Sequence, residues 1–132
     1  MSLQLENICV VLDSGNAEEL ALFYQKLLGW EKYGAKPEDE YLAVVSIEKP
    51  GLPGLIFQEV EDYIPPVWPD AADAQRQMVH LDFHVEDVAE GVAHALACGA
   101  TLSPVQTDAS FQVLFDPAGH PFCICPRIFP AE

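Results

Sequence analysis

The sequence predicts an α+β fold in which two modules of the order β-α-β-β-β follow one another along 132 residues. Three observations predict it: a β-rich segment runs into an amphipathic helix twice, each helix stops at a glycine, and a proline-rich stretch separates the copies. A chain of this length suits a single core. We therefore expect one domain over residues 1–132, with module 1 at about 4–61, module 2 at about 76–128 and a linker at 62–75.

The first module opens with an apolar, β-branched segment at residues 5–12, which predicts a strand. Turn and cap residues follow, and residues 17–28 place leucines and aromatics at helical spacing, with two acidic residues in the first turn. Gly29 supplies the C-terminal stop. Further strands are expected at residues 40–47 and 54–60, on either side of a Pro/Gly breaker.

The second module repeats this order. Residues 78–85 predict a strand, Asp87 predicts the N-cap of a helix that runs through residue 98, and Gly99 ends it. Further β segments are expected near residues 101–105, 111–115 and 122–125.

The two modules align by eye. His80 falls about where Asn7 does, Cys123 about where Gln58 does, and the two helix-ending glycines coincide. The offset between the copies shrinks along the module, as small loop deletions after a duplication would produce. The pattern therefore indicates an internal duplication.

Composition excludes some partners. Six Lys and Arg against 21 Asp and Glu give a net charge of −15, which repels nucleic-acid phosphates and anionic membrane surfaces. No apolar run is long enough to span a bilayer and the N-terminus does not resemble a secretory signal, so we expect a cytoplasmic protein. The four cysteines lack CxxC spacing, which favours free thiols.

Candidate site residues alternate along the strand that opens the second module. His80, Asp82 and His84 share one face, while the apolar residues between them share the face that packs on a helix. In a curved sheet the first face lines a cavity, so a site is expected there. Neighbours two apart lie about 6.6–6.8 Å apart, so His80 and Asp82 can converge on one metal ion.

Other residues add polar or thiol groups to the same kind of face. Asn7 lies on the first strand, Gln58 alternates with apolar neighbours, and Cys123 and Cys125 alternate with Phe122 and Ile124. A thiolate is a good ligand for soft metals. Each of these groups also suits an ordinary hydrogen bond or simple packing.

The segment at residues 116–121 (DPAGHP) predicts a tight turn, with its histidine, His120, exposed.

The chain lacks a glycine-rich phosphate loop and the GxSxG and HExxH motifs, so the classes of enzyme that use them are disfavoured. A concave sheet with few polar groups favours a small-ligand pocket.

Five stretches together resemble the glyoxalase/bleomycin-resistance/dioxygenase (vicinal oxygen chelate) superfamily, in its short glyoxalase-like form. They are AEELALFYQKLLGW, FQEVEDYIPPVWP, MVHLDFHVEDV, CGATL and FDPAGHPFCIC, and they span nearly the whole chain. The resemblance implies an open, eight-stranded, barrel-like sheet around a pocket. It also implies that a divalent metal is chelated there and that two chains form a homodimer.

The family's metal positions map here to Asn7, Gln58, His80 and Cys123. Members that depend on metal carry His or Glu at most of them, and only His80 keeps that type. The cofactor is therefore expected to be either absent or a divalent ion held by His80 and Cys123.

Three functions stay open, of which small-molecule binding is favoured over catalysis and both over a purely structural role. In the first, the protein binds a small molecule, and Trp30, Tyr63 or Trp68 offers an aromatic surface to a cation or flat ring. In the second, it is a metal-assisted lyase, isomerase or dioxygenase in which His80 is ligand or base, Asp82 orients it, and Cys123 or Gln58 completes the centre. In the third, the pocket is vestigial and the role of the domain is to associate with a partner.

For the second function, His80 and Asp82 are the candidate catalytic residues. The candidate ligand-binding residues are Asn7, Gln58, Trp68, His84 and Cys123.

Overall fold

A computed structural model describes residues 2–34, 42–68 and 73–128, which divide into two compact units, Met1–Tyr63 and Ile64–Glu132. The first unit contains β1 (Cys9–Ser14), α1 (Ala17–Leu28), β2 (Glu31–Tyr33), β3 (Leu42–Val45) and β4 (Gly54–Glu59). The second contains β5 (Leu81–Val85), α2 (Val88–Cys98), β6 (Thr101–Leu102), β7 (Gln112–Phe115) and β8 (Pro121–Pro126).

In each unit the first strand pairs in parallel with the last. The strand orders are β1-β4-β3-β2 and β5-β8-β7-β6, and the other pairings are antiparallel. Two parallel strands must be joined by a crossover connection, and in each unit this connection consists of the helix and the two middle strands. The α+β class with two βαβββ modules is therefore confirmed. Among the described residues, the eight strands form two four-stranded sheets that are not closed into a barrel.

Helix α1 begins and ends at the residues that the sequence predicts. The side chain of Asn16 accepts a hydrogen bond from the backbone N–H of Glu19 at 3.1 Å, and Gly29 adopts φ 68°, which favours glycine. One side of the helix is buried, and the ring of Tyr24 stacks on that of Phe57 in β4 with centroids 5.8 Å apart. Helix α1 therefore covers one face of the first sheet.

Helix α2 is capped in the same way. The side chain of Asp87 accepts from the backbone N–H of Glu90 at 3.1 Å, and Gly99 ends the helix at φ 116°. Gly91 lies against the sheet, where an added Cβ would stand 2.9 Å from Cγ2 of Ile124. Helix α2 therefore covers the Ile124 side of β8, and the alternate residues of β8 point to the opposite face.

The turn before β8 is built around a buried carboxylate. Oδ1 of Asp116 accepts from the backbone N–H groups of Ala118 and His120 at 2.9 and 3.0 Å, and Nδ1 of His120 lies 2.8 Å from Oδ2. Gly119 takes φ 91°. The expectation that His120 is exposed is wrong, because its side chain is only 17% exposed and is held against Asp116.

Two predicted strands begin later than the alternation suggests. β1 starts at Cys9, opposite Gly54, and β5 starts at Leu81. A strand is defined by its pairing as well as by its residue types. The apolar residues that precede the first paired residue of β1 and of β5 therefore fall outside these strands. Asn7 and His80 therefore precede their strands instead of lying within them.

Other differences are smaller. The short β2 strand was not separately predicted, and β6 covers only the first two residues of the segment predicted at 101–105. Residues 40 and 41 of a predicted strand and 69–72 of the predicted linker lie outside the described residues. Neither described helix is long and apolar enough to cross a membrane.

We expect Gly91→Ala to destabilise the protein although alanine is the better helix former. The helix would gain about 1 kcal/mol of propensity. Against this, the new methyl group would meet Ile124 at 2.9 Å and Val85 at 3.4 Å, and overpacking of this kind costs about 1–3 kcal/mol. Urea unfolding should therefore show a lower unfolding free energy than that of the parent protein.

The exposed Ala93 of the same helix provides the control. Ala93→Gly should cost about 1 kcal/mol through propensity alone. If Gly91→Ala instead raised the unfolding free energy by a similar amount, α2 would not pack closely on the sheet.

Candidate functional site

One face of the second sheet gathers polar and thiol groups, because the pairing of β5 with β8 puts them side by side. Asp82 lies opposite Cys123, and His84 lies opposite Cys125. Since α2 covers the face on which Ile124 lies, these four residues share the face away from the helix. We call this face, with Asp82, His84, Cys123 and Cys125, the thiol face.

The thiol face also has an apolar part. Cys123 and Cys125 are buried and cluster with Val113 of β7. Trp68 and Phe111 are partly buried and pack against this cluster. The face therefore combines two aromatic rings with a small polar group, which is the usual composition of a small-ligand site.

His80 contacts this group from just outside the strand. Its Nε2 lies 3.2 Å from Oδ1 of Asp82, and the two side chains are 44% and 46% exposed. Because both are near half exposed, solvent screens the pair and its contribution to stability is small. The two side chains therefore lie close together, and their convergence on one metal ion stays a prediction.

His84 is held by a backbone group. Its Nδ1 lies 2.8 Å from the carbonyl oxygen of Pro126. A carbonyl can only accept, so Nδ1 donates its hydrogen in this contact, and in the neutral imidazole the lone pair is then on Nε2. The strand end therefore fixes which nitrogen of His84 is free to act as a base or as a ligand.

The two thiols are held in their protonated form. Burial raises the pKa of Cys123 from 9.0 to about 12, and the charge of Asp82, the nearby Cys125 and a hydrogen bond with Asp82 add to the effect. The pKa of Cys125 is raised by burial and then by the same carboxylate. Neither thiol is therefore an activated nucleophile at neutral pH.

The direction of this shift sets its effect on stability. The unfolded chain would release the Cys123 proton near pH 9.0, while the folded chain holds it to about 12. The folded state therefore binds more protons between these values, and this thiol favours unfolding only as the pH rises above 9.0.

The thiol face contains two sets of donors that could hold a metal ion. One is His80, Asp82 and Cys123, and the other is Asp82, His84 and Cys125. In each set the ligand atoms lie within 4.8 Å of one another. Nitrogen, oxygen and sulfur donors together suit Zn²⁺ better than Mg²⁺ or Ca²⁺. The residues present therefore fit a divalent ion of the zinc type.

The residues predicted in the first module have different surroundings. Asn7 is exposed, with its Oδ1 accepting from the N–H of Ile8 at 2.8 Å and its Nδ2 lying 3.8 Å from Sγ of Cys9. Gln58 is exposed on β4, opposite Asp13. Both belong to the first unit, whereas the metal-type donors described above belong to the second.

Counting from the helix caps gives a different alignment of the modules from the one read by eye. His80 lies seven positions before the cap Asp87, and Cys9, not Asn7, lies seven positions before the cap Asn16. The structural counterpart of His80 in the first unit is therefore Cys9.

Three features of the site were not assigned from the sequence. Cys125 was placed on the inner face but given no role, although strand alternation was enough to group it with Cys123. Phe111 lies just ahead of β7, where residue type alone does not signal a ligand site. The carbonyl of Pro126 has no sequence signal, because backbone groups occur at every position.

We expect Asp82→Asn to speed the alkylation of both thiols. The charge of Asp82 and its hydrogen bonds raise both pKa values, so their removal increases the thiolate fraction at a fixed, mildly alkaline pH. A rate increase of several-fold is expected, with Cys123 still slower than the exposed Cys9 because burial remains. Iodoacetamide labelling followed by peptide mass spectrometry measures each rate.

Glu86→Gln is the matched control. Glu86 is 88% exposed and pairs with Arg127, so the variant makes the same change of net charge away from the thiols. Equal rates in the parent protein and Asp82→Asn, or equal acceleration in both variants, would contradict a local effect of Asp82.

Comparison with known proteins places this geometry in a family. The sequence profile of the glyoxalase-like domain matches residues 9–125. No curated protein sequence matches the chain.

Solved structures share the fold. A fosfomycin resistance protein, FosX, from Listeria monocytogenes is 13% identical, with a TM-score of 0.63 over 100% of this chain and 97% of its own. The antibiotic-binding protein TnmS3 from Streptomyces sp. CB03234 is 14% identical, with a TM-score of 0.60 over 95% and 98%. A glyoxalase/bleomycin resistance protein/dioxygenase family enzyme from Burkholderia phytofirmans PsJN is 19% identical, with a TM-score of 0.60 over 87% and 93%. Because the profile spans most of the chain and both modules have the expected order, this protein belongs to the glyoxalase-like domain family.

Proposed function

We propose that this chain binds a small, flat, cationic molecule on the thiol face of its second unit. The observation that carries the proposal is the packing of Trp68 and Phe111 on the face that bears the half-exposed carboxylate of Asp82. A ring of the ligand would lie against the aromatic side chains, and its charge would lie near Asp82.

Charge supports the same class of ligand. The chain has 21 acidic and six basic residues, so its field attracts cations and repels anions. On the thiol face the thiols are protonated and neutral, which leaves Asp82 as the group that carries negative charge there, among the described residues. A cation would compensate that charge.

One of the solved structures supports a binding role. The Streptomyces neighbour is an antibiotic-binding protein, so this fold can hold a small molecule. At 14% identity the likeness concerns the fold alone, and the ligand of this chain must be argued from its own residues.

A second candidate function is a metal-assisted lyase, isomerase or dioxygenase reaction. It is favoured by His80, Asp82 and Cys123, whose ligand atoms lie within 4.8 Å of one another. A bound divalent ion would polarise a substrate oxygen. His80 would act as ligand or base and Asp82 would orient it, since the two are 3.2 Å apart.

Homodimer formation and a cytoplasmic location remain predictions for either function.

Ligand binding is tested with planar acridinium and phenanthridinium dyes and their neutral ring analogues, on protein freed of metal by a chelator. The cationic dyes should raise the melting temperature more than the neutral analogues do. Trp68→Ala and Asp82→Asn should each weaken binding about tenfold, or about 1.4 kcal/mol, because each removes one of the two contacts. Fluorescence titration gives the dissociation constants.

Two control variants separate this site from general surface effects. Tyr33→Ala removes an exposed aromatic ring from the first unit, and Glu86→Gln removes an exposed charge from the second. Both should bind like the parent protein. Binding that is unchanged in Trp68→Ala and Asp82→Asn, or equally weakened in the controls, would overturn the proposal.

A further inference from the structure

We propose that Asp82, His84 and Cys125 form a binding site for Zn²⁺. The inference goes beyond the small-molecule function, because it needs no organic ligand. It also concerns a set of donors distinct from His80 and Cys123, the pair that the family resemblance implies.

The geometry of the strand pair brings the three donors together. His84 lies directly opposite Cys125, and Asp82 lies two residues before His84 on the same face of β5. A ring nitrogen, a carboxylate oxygen and Sγ of these residues lie within 4.8 Å of one another. Ligand atoms around a tetrahedral Zn²⁺ are about 2.0–2.3 Å from the ion, so small side-chain movements bring all three into coordination.

His84 is already oriented as zinc-binding histidines are. Such residues almost always donate one ring N–H to a carbonyl or carboxylate, which fixes the ring and raises the basicity of the other nitrogen. Nδ1 of His84 makes this contact with the carbonyl of Pro126 at 2.8 Å. His80 differs, because its Nε2 is engaged 3.2 Å from Asp82, the very carboxylate that the ion needs.

The choice of ion follows from the donors. A thiol, an imidazole and a carboxylate match the ligand types of zinc sites, whereas Mg²⁺ and Ca²⁺ prefer oxygen alone. When the Zn–S bond forms, Cys125 gives its proton to the solvent, so one proton is released for each ion bound. Three protein ligands leave the fourth position to water or to an added molecule.

A bound ion changes what the thiol face attracts. Because one thiol proton leaves as Zn²⁺ binds, the ion adds one net positive charge beside Asp82, which is the group proposed to attract a cationic dye. The dye and the ion therefore compete, and a molecule with an oxygen or nitrogen donor would gain a place at the open position.

The test titrates Co²⁺, as a spectroscopic substitute for Zn²⁺, into the full-length, reduced, chelator-treated protein. Coordination by a thiolate should produce an intense near-ultraviolet charge-transfer absorption that saturates at one ion per chain and disappears when Zn²⁺ is added. Cys125→Ser should abolish this absorption. His84→Ala should weaken metal affinity by more than about 100-fold, beyond the 10–100-fold cost of losing an outer-shell partner.

Matched variants identify the donors. His94 and Cys98 form a histidine–cysteine pair on α2, with Nε2 and Sγ 3.7 Å apart, so His94→Ala and Cys98→Ser serve as controls that should keep the absorption. His80→Ala and Cys123→Ser should also keep it. His84 is exposed, so its variant remains informative if the buried Cys125→Ser fails to fold, which circular dichroism would reveal.

Three outcomes would overturn the inference: no thiolate absorption in the parent protein, absorption that survives in both His84→Ala and Cys125→Ser, or absorption lost only in His80→Ala and Cys123→Ser. The last would place the ion at the other set of donors and support the metal-assisted function. Because the titration contains no dye, its failure is independent of failure of the small-molecule proposal.

Discussion

The parallel pairing of β5 with β8 is the constraint on which the candidate site depends. It joins the first and last strands of a module, so residues about 40 positions apart in sequence become neighbours in one register. That register puts Asp82 opposite Cys123 and His84 opposite Cys125. A slip of one residue would turn both thiols toward α2 and move Phe122 and Ile124 away from the helix on which they pack. Hydrophobic packing under α2 therefore maintains the arrangement of the polar groups.

The same pairing explains the state of the thiols. A cysteine buried beside a carboxylate keeps its proton, since its anion would lose hydration and face a negative charge. An incoming cation reverses the second of these effects, because it neutralises the carboxylate and bonds to the sulfur at once. The protonated thiols of the free protein and a metal-bound thiolate are therefore compatible states of one site.

The sequence predicted much of the fold because its signals are local. Asn16, Gly29, Asp87 and Gly99 mark the helix ends through short-range geometry, and both helices have the predicted bounds. Strand ends were less predictable, because they depend on which residues find a partner across the sheet. The site shows the same division. Alternation grouped Asp82 with His84 and Cys123 with Cys125, but the register that matches one pair to the other, and the turn of His120 toward Asp116, required the structure.

Comparison of the two units shows why the second is the better candidate for chemistry. In the first unit, Asp13 lies opposite Gln58 in the place that His84 and Cys125 occupy in the second. The backbone pairing is alike in both units, but Gln58 offers only a neutral amide, which is a weak ligand, where the second unit has the thiol of Cys125. Cys9 is exposed there, whereas both thiols opposite β5 are buried. The two units therefore share their backbone pairing but differ in the side chains that it brings together. The side chains at the positions of Asp82, His84, Cys123 and Cys125 decide which unit can hold a metal ion.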